Sequence, residues 1–524
     1  MRRELVIALA LALAACGSEP AQQQQPAPQA PARPRGSFVA DSTIAARDYV
    51  GPARCGECHG DEHARWSQSL HSVMNQRAET GGAVIGDFAA TLPYRGGEAR
   101  FARDGEAYTM TLARGASSVR YRITRTIGVR GLQEYVGVAD GTTEEVRLPF
   151  AWWPRRAGWY PQPYYDSWLA EDDLDPYTQV REPWATRCPW CHSTYPFAQR
   201  IARSAARGLG HGLDRYYTAH DDGSRVGQQV TVGISCESCH LGGRAHADGA
   251  AIHFVPIGAA PRASAPRPTT FTEERRDATI VNAVCAQCHS GPSPRFPDGG
   301  ATRNSSEALD LAAGPCTNLR CTDCHDPHRG GGDEARAVAA CTRCHRALAD
   351  PAAARTHAGH DSATCLDCHM PRIVMGIDRY IRTHRISTPS DRAMLAAAAP
   401  NACNLCHLDR SIRWTVDELA TRFDAPRDPR GWAYRDLDTA VGELWLASPQ
   451  PAIRLVATAA YARSPLGRYA LEDLLRGLDD PLPHVRTWTT FAIEDILRKK
   501  LRDADYDPRA PSDRRRAQIA KLAR

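Results

Sequence analysis

Lysine is almost missing from this chain of 524 residues: among 65 basic side chains only Lys499, Lys500 and Lys521 are lysines. No run of Lys and Arg exceeds three residues, so the chain lacks the basic blocks that grip nucleic acid, and none is expected as a partner. Long apolar runs are equally scarce. The stretch Leu5–Ala15 is too short to be a membrane-spanning helix. Cysteine is abundant at 18 residues but hardly any is spare, because sixteen fall in one repeated pattern. With 42% hydrophobic and 24% charged residues, the composition excludes a fibrous or wholly disordered protein, and the length allows roughly two to four domains.

The pattern is Cys-x-x-Cys-His, and it occurs eight times. The copies are Cys55, Cys58 and His59; Cys188, Cys191 and His192; Cys236, Cys239 and His240; Cys285, Cys288 and His289; Cys321, Cys324 and His325; Cys341, Cys344 and His345; Cys365, Cys368 and His369; and Cys403, Cys406 and His407. Two thiols three residues apart can add to the two vinyl groups of one haem, and the next imidazole then reaches the iron. Each copy therefore reads as two tethers and one proximal ligand, and the set as eight covalent haems. Zinc ribbons also use Cys-x-x-Cys pairs but need no His after every second Cys. Disulfide frameworks select neither that spacing nor the fixed His.

With about one motif per 44 residues between Cys55 and His407, much of that interior is expected to be porphyrin, and folding to depend on haem attachment. The formal charge of +5 is offset by the haem propionates, about −16 for eight haems, of which ferric iron returns up to about +8. The arginines then serve as propionate partners and surface charge.

Arg2 and Arg3, the apolar run and Leu13-Ala14-Ala15-Cys16 have the form of an export signal (1–15) ending in a lipoprotein cleavage box, with Cys16 as the acylated residue. Residues 16–47, rich in Gln, Pro and Ala, read as a disordered tether holding the folded part off the lipid. Gly17 rather than Asp after Cys16 favours passage to the outer membrane.

A more specific likeness begins at Tyr49-Val50-Gly51, followed by the first motif and Trp66-Ser67-Gln68-Ser69-Leu70-His71. Together with Cys236-Glu237-Ser238-Cys239-His240, Gly242, Gly243 and His246, with Cys324-His325-Asp326-Pro327-His328, with Cys368-His369-Met370-Pro371 and with Pro400-Asn401-Ala402-Cys403, it resembles the multihaem cytochromes c related to the tetrahaem electron carrier that serves hydroxylamine oxidoreductase. The resemblance spans residues 49–415. It implies a mainly α protein with long loops wrapped around covalent haems, and C-terminal HEAT or tetratricopeptide repeats of the kind many relatives carry.

Within the octahaem region, taken as 48–410, the stretch 98–148 alternates like strands around an Asp104-Gly105 turn and predicts a small antiparallel β insertion. The aromatic residues after it (Trp152, Trp153, Trp159, Tyr160, Tyr164, Tyr165, Trp168) read either as a ligand platform or electron relay, or as packing against haem faces. Pro261–Pro268 and Gly291–Gly300 predict exposed loops. Cys316 is the unpaired thiol, expected to be buried and inert. From 411 to 524 the texture is helical. Pro449-Gln450-Pro451-Ala452-Ile453-Arg454 and Pro481-Leu482-Pro483-His484-Val485-Arg486 share a start 32 residues apart, resembling a HEAT-type repeat or a helical cap over the last haem.

Function turns on the sixth iron position. Of the eleven histidines outside the motifs, the family resemblance offers His71, His246 and His328, at least one of His357 and His360, and also His384 as candidate distal ligands. His63, one helical turn after His59, and His484, in the repeat region, fit less well. Haems with two histidines suit electron transfer; a haem with one offers its iron to a substrate. No Cys-x-x-Cys-Lys motif is present, which argues against ammonia-forming nitrite reductase and octahaem tetrathionate reductase but not against a hydroxylamine-oxidoreductase-like site. The expectation is an exported, lipid-anchored octahaem cytochrome c in the periplasm or at the outer membrane or cell surface. It would relay electrons between redox proteins or to a membrane respiratory complex. The alternative is an oxidoreductase acting on hydroxylamine, nitrite or tetrathionate at one open haem.

Overall fold

The computed structural model describes residues 45–162, 175–197, 217–218, 229–250, 260–261, 278–291 and 293–523. Cys16 and the tether, the aromatic residues Tyr164, Tyr165 and Trp168, and three of the histidines outside the motifs, His211, His220 and His253, lie outside them. Among the described residues no helix is long and apolar enough to cross a membrane.

Most motifs sit in short helical turns strung along loops. Where the turn closes, the histidine N–H donates to the carbonyl of the first cysteine, as in His59 to Cys55 at 2.9 Å, His289 to Cys285 at 3.0 Å and His407 to Cys403 at 3.0 Å. This is one i to i+4 bond, and it puts the first thiol and the imidazole on one face. Local caps fix where a turn starts. Asn401 Oδ1 accepts the Asn404 N–H at 3.0 Å, and Asp323 Oδ2 accepts the Arg320 N–H at 2.8 Å.

The inserted sheet is antiparallel. Its strands are β1 (Asn75–Arg77), β2 (Thr91–Tyr94), β3 (Gly97–Asp104), β4 (Ala107–Arg114), β5 (Ser117–Ile127), β6 (Glu134–Ala139) and β7 (Glu145–Arg147), in the order β2-β3-β4-β5-β6-β7 with β1 on the far end of β5. The β3–β4 turn needs Gly105, whose φ is 61°. The sheet therefore begins well before the expected residue 98. β1 is too short to show alternation, and β2 carries Pro93, which only an edge strand tolerates.

The aromatic stretch forms a hairpin of β8 (Phe150–Trp153) and β9 (Gly158–Pro161). Two of its tryptophans pack in protein cores. Trp159 lies flat on Phe101, centroids 3.7 Å apart, in the core of the sheet, while Trp153 meets Phe491 at 5.0 Å in the C-terminal helices. The expected exposed loop at Gly291–Gly300 is folded around Phe296, which is buried.

The C-terminal part consists of Ile412–Phe423, Val441–Leu446, Pro451–Arg463, Leu471–Arg476, Pro483–Leu497 and a last helix, Ser512–Leu522. Pro451 and Pro483 each open a helix, where the missing N–H costs nothing. The arginine three residues on repeats the same bonds. Arg454 Nη1 donates to the Ser448 and Pro449 carbonyls at 2.9 and 3.2 Å, and Arg486 Nη1 to those of Asp480 and Pro481 at 2.8 and 3.0 Å. The expected boundary at 410/411 does not interrupt the core. Leu405, Leu408, Ile412, Val441 and Trp445 are buried in one cluster that also takes in Trp153, Val374 and Tyr380.

Candidate haem-binding site

Six motif histidines face a second histidine. His59 lies opposite His246 with ring centroids 6.1 Å apart, His240 opposite His328 at 6.4 Å, and His289 opposite His71 at 6.3 Å. His325 faces His384 at 6.1 Å, His369 faces His357 at 6.3 Å, and His407 faces His360 at 6.1 Å. An imidazole–metal–imidazole axis with bonds of about 2 Å spans about 6 Å between ring centres, so each gap fits one iron. Among the described residues, no three His, Cys, Asp or Glu side chains converge as the ligands of a zinc ion would. The residues fit haem: two thiols and one imidazole on a helical turn, and a second imidazole one iron-width away.

All six candidate distal histidines are thus brought to a motif histidine, and only His357 meets that of the next helix in the chain. His71, from just after the first motif, reaches the fourth. His246, beside the third, reaches the first, and His328, beside the fifth, reaches the third. The ring planes are near parallel in the third and seventh pairs, at 6° and 7°, and crossed in the fourth, at 72°.

Two motif histidines have no such companion among the described residues. His192 is packed near Trp184, centroids 6.3 Å apart, and its buried Nδ1 has no hydrogen-bond partner. His345 is exposed. His63 packs on Trp66 at 5.2 Å, and His484 is buried in the C-terminal helices.

The attachment thiols lie side by side. Cys55 lies beside Cys236, and Cys285 beside Cys321. Within electrostatic reach of one another are Cys239 and Cys285, Cys324 and Cys341, Cys341 and Cys365, and Cys368 and Cys406. Cys288 approaches the Trp190 carbonyl in the second motif at 3.8 Å. The motifs are therefore neighbours in the order one, three, four, five, six, seven, eight, with the second beside the fourth. Cys316 is half-buried next to Cys341 and Cys344, and burial pushes its thiol up.

Three residues that the motif pattern does not single out hold this arrangement. Glu237, inside the third motif and buried, accepts the N–H groups of Val50 at 3.0 Å, Gly51 at 2.8 Å and Gly243 at 2.8 Å, so it ties the start of the folded region to the third motif. Arg382 donates to Glu334 at 3.0 Å and to Asp367, within the seventh motif, at 2.9 Å. Glu307 meets His289 Nδ1 at 3.1 Å. Burial raises the Glu307 carboxyl, but the His289 contact and the N–H bonds of its own helical turn outweigh it and hold it at about 2. Only the close approach of two glutamates to backbone and imidazole reveals them, and nothing in local sequence marks that.

No protein-family model and no curated protein matches this chain. Two solved structures are similar to it. One is the Outer Cell Wall Cytochrome OcwA, at 14% identity, covering 86% of this chain and 98% of its own, with a TM-score of 0.40. The other is the octaheme sulfite reductase MccA of Wolinella succinogenes, at 14% identity, covering 93% and 86%, with a TM-score of 0.32. At such identity and TM-scores, neither likeness bears on the reaction or partners of this chain.

Proposed function

We propose that the chain is an exported c-type cytochrome lipoprotein that binds eight haems covalently and relays electrons between redox partners in the periplasm or at the outer surface. The observation that carries this reading is the set of six motif histidines, each facing a second histidine across 6.1 to 6.4 Å. Haem held this way supplies one-electron exchange at an iron with no site left for a substrate. The chain's own part is to tether, through sixteen thiols, and to fix the imidazoles by helical turns and cross-chain bonds. The unbroken line of neighbouring motifs suits transfer along the whole array. The C-terminal helices, pinned to the β8–β9 turn by Arg155 and Arg156, fit a HEAT-like support that docks the array on a larger respiratory complex.

The test is the mature protein made with a functional cytochrome c maturation system. Peptide mass analysis is expected to find haem on all eight motifs, and low-temperature EPR of the ferric protein to show low-spin signals. Motif peptides without haem, or with zinc, would overturn the reading.

A second reading has its own support in His192 and His345, which face no histidine among the described residues. A haem open at either would admit hydroxylamine, nitrite or tetrathionate. A high-spin EPR signal that nitrite or hydroxylamine shifts would favour this oxidoreductase over the pure relay.

A further inference from the structure

The fourth motif differs from the fifth and the seventh in what its histidine leans on. His325 Nδ1 is 2.9 Å from the Gly331 carbonyl and His369 Nδ1 is 2.8 Å from that of Ser387, both neutral acceptors. His289 Nδ1 instead lies 3.1 Å from a carboxylate oxygen, Glu307 Oε2. The carboxylate is held on its other side as well, because Oε1 accepts the Ser305 N–H at 2.9 Å. The helix it opens, Glu307–Ala313, is itself stitched to the ligand: the Ala308 N–H donates to the His289 carbonyl at 2.9 Å. Glu307 is therefore a placed group rather than a roaming surface charge.

A carboxylate that accepts the outer N–H of a metal-bound imidazole makes that imidazole a stronger electron donor than a carbonyl does, and so favours the oxidised metal. The motif concerned is the junction of the array. Its thiols contact the fifth motif at Cys321, approach the third at Cys239, and reach the second through Cys288 and Trp190. It also has the most crossed pair of rings, His289 and His71 at 72°.

We propose that Glu307 is a positioning residue that, through His289, holds the fourth haem site at a lower reduction potential than a neutral acceptor would, placing a step at the junction of the array. The inference rests on the haem reading above. Electrons entering from the first and third motifs would meet this step before the fifth to eighth.

The test is potentiometric titration of the full haem-loaded protein, followed by low-temperature EPR, in which the crossed fourth pair is separable from the near-parallel ones. In Glu307→Gln, one component is expected to become easier to reduce by about tenfold or more in its equilibrium constant, roughly 59 mV per tenfold for one electron. The other components should stay in place, and Glu307→Asp, which keeps the charge, should shift less. If the Gln variant fails to mature, Glu307→Ala decides: a fourth component raised by about tenfold or more supports the proposal, and one near its original midpoint overturns it. Unchanged midpoints in a fully loaded Glu307→Gln protein, or all eight moving together, would also overturn it. A wild-type protein without haem would instead refute the haem reading itself.

Discussion

Replacing Glu494 with Ala should loosen the C-terminal helices without touching a single haem motif. Glu494 sits near the end of the helix Pro483–Leu497 with its side chain 1% exposed, and accepts from Arg156 Nη1 at 2.6 Å, Leu501 N at 3.1 Å and Lys500 Nζ at 3.1 Å. Arg156 is only 4% exposed and reaches this helix from the β8–β9 turn. Its other carboxylate, Asp503, is half in solvent. Removing Glu494 takes away the fully buried carboxylate and leaves this guanidinium only the half-exposed Asp503 as counter-ion, which costs up to about 3–5 kcal/mol. Since each 1.4 kcal/mol is tenfold, amide exchange in Pro451–Arg463 and Pro483–Leu497 should quicken on the order of 10²–10³-fold if these helices open as one unit. Residues 411–524 contain no cysteine, so no thioether within these helices opposes their opening. Hydrogen exchange read by mass spectrometry is the assay. The control is Asp438→Ala, which breaks a solvent-exposed pair with Arg413, where water and salt screen the attraction. The double variant Arg156→Met with Glu494→Met should recover most of the loss, because an apolar pair leaves no stranded charge. Exchange in Glu494→Ala no faster than in the control, or a double variant as loose as the single one, would refute the reasoning.

Glu237→Ala leaves three N–H groups without their acceptor, each costing about 1–3 kcal/mol where it stays buried; limited proteolysis should then cut near Val50 well before it cuts the wild type. Gly233→Ala should block assembly around the first and third motifs, because the added Cβ would lie 2.2 Å from the Ser72 carbonyl oxygen; the haem yield on those two motif peptides reports it. His484 is held neutral, at about 3, by burial and by the nearby Arg486, Arg454 and Arg303. The unfolded chain takes up the proton near pH 6.5, so stability from this residue is complete above that pH and lost as pH falls toward 3. Denaturant melts between pH 7 and 4 should show that loss, and His484→Gln should flatten it.

Much of the site was legible because it is local. Cys-x-x-Cys-His closes within one helical turn, so the pattern marks the candidate tethers and proximal histidines before any fold is known. The Asp104-Gly105 turn and the paired Pro-x-Pro starts were readable for the same reason: glycine and proline restrict the backbone where they stand. The edges were not. β2 reads as no strand alone, because Pro93 is acceptable only at a sheet edge, and the boundary near 410 dissolves because Leu405 and Leu408 bury against helices that follow it. The Trp-rich stretch invited a cofactor-facing reading, yet Trp159 and Trp153 fill two protein cores, a choice set by which surfaces meet in space.

The histidines mark the same division. By itself the sequence determined how many Cys-x-x-Cys-His motifs exist and which thiols and imidazoles belong to each, since those facts lie in covalent spacing and residue type, while six candidate partners among the remaining histidines were implied by the family resemblance. Only the tertiary structure decided that His71 meets His289 rather than its own neighbour His59, that His246 turns back to the first motif, and that Glu307 backs the fourth. These pairings join segments from about 12 to more than 200 residues apart, and nothing local to either partner encodes them.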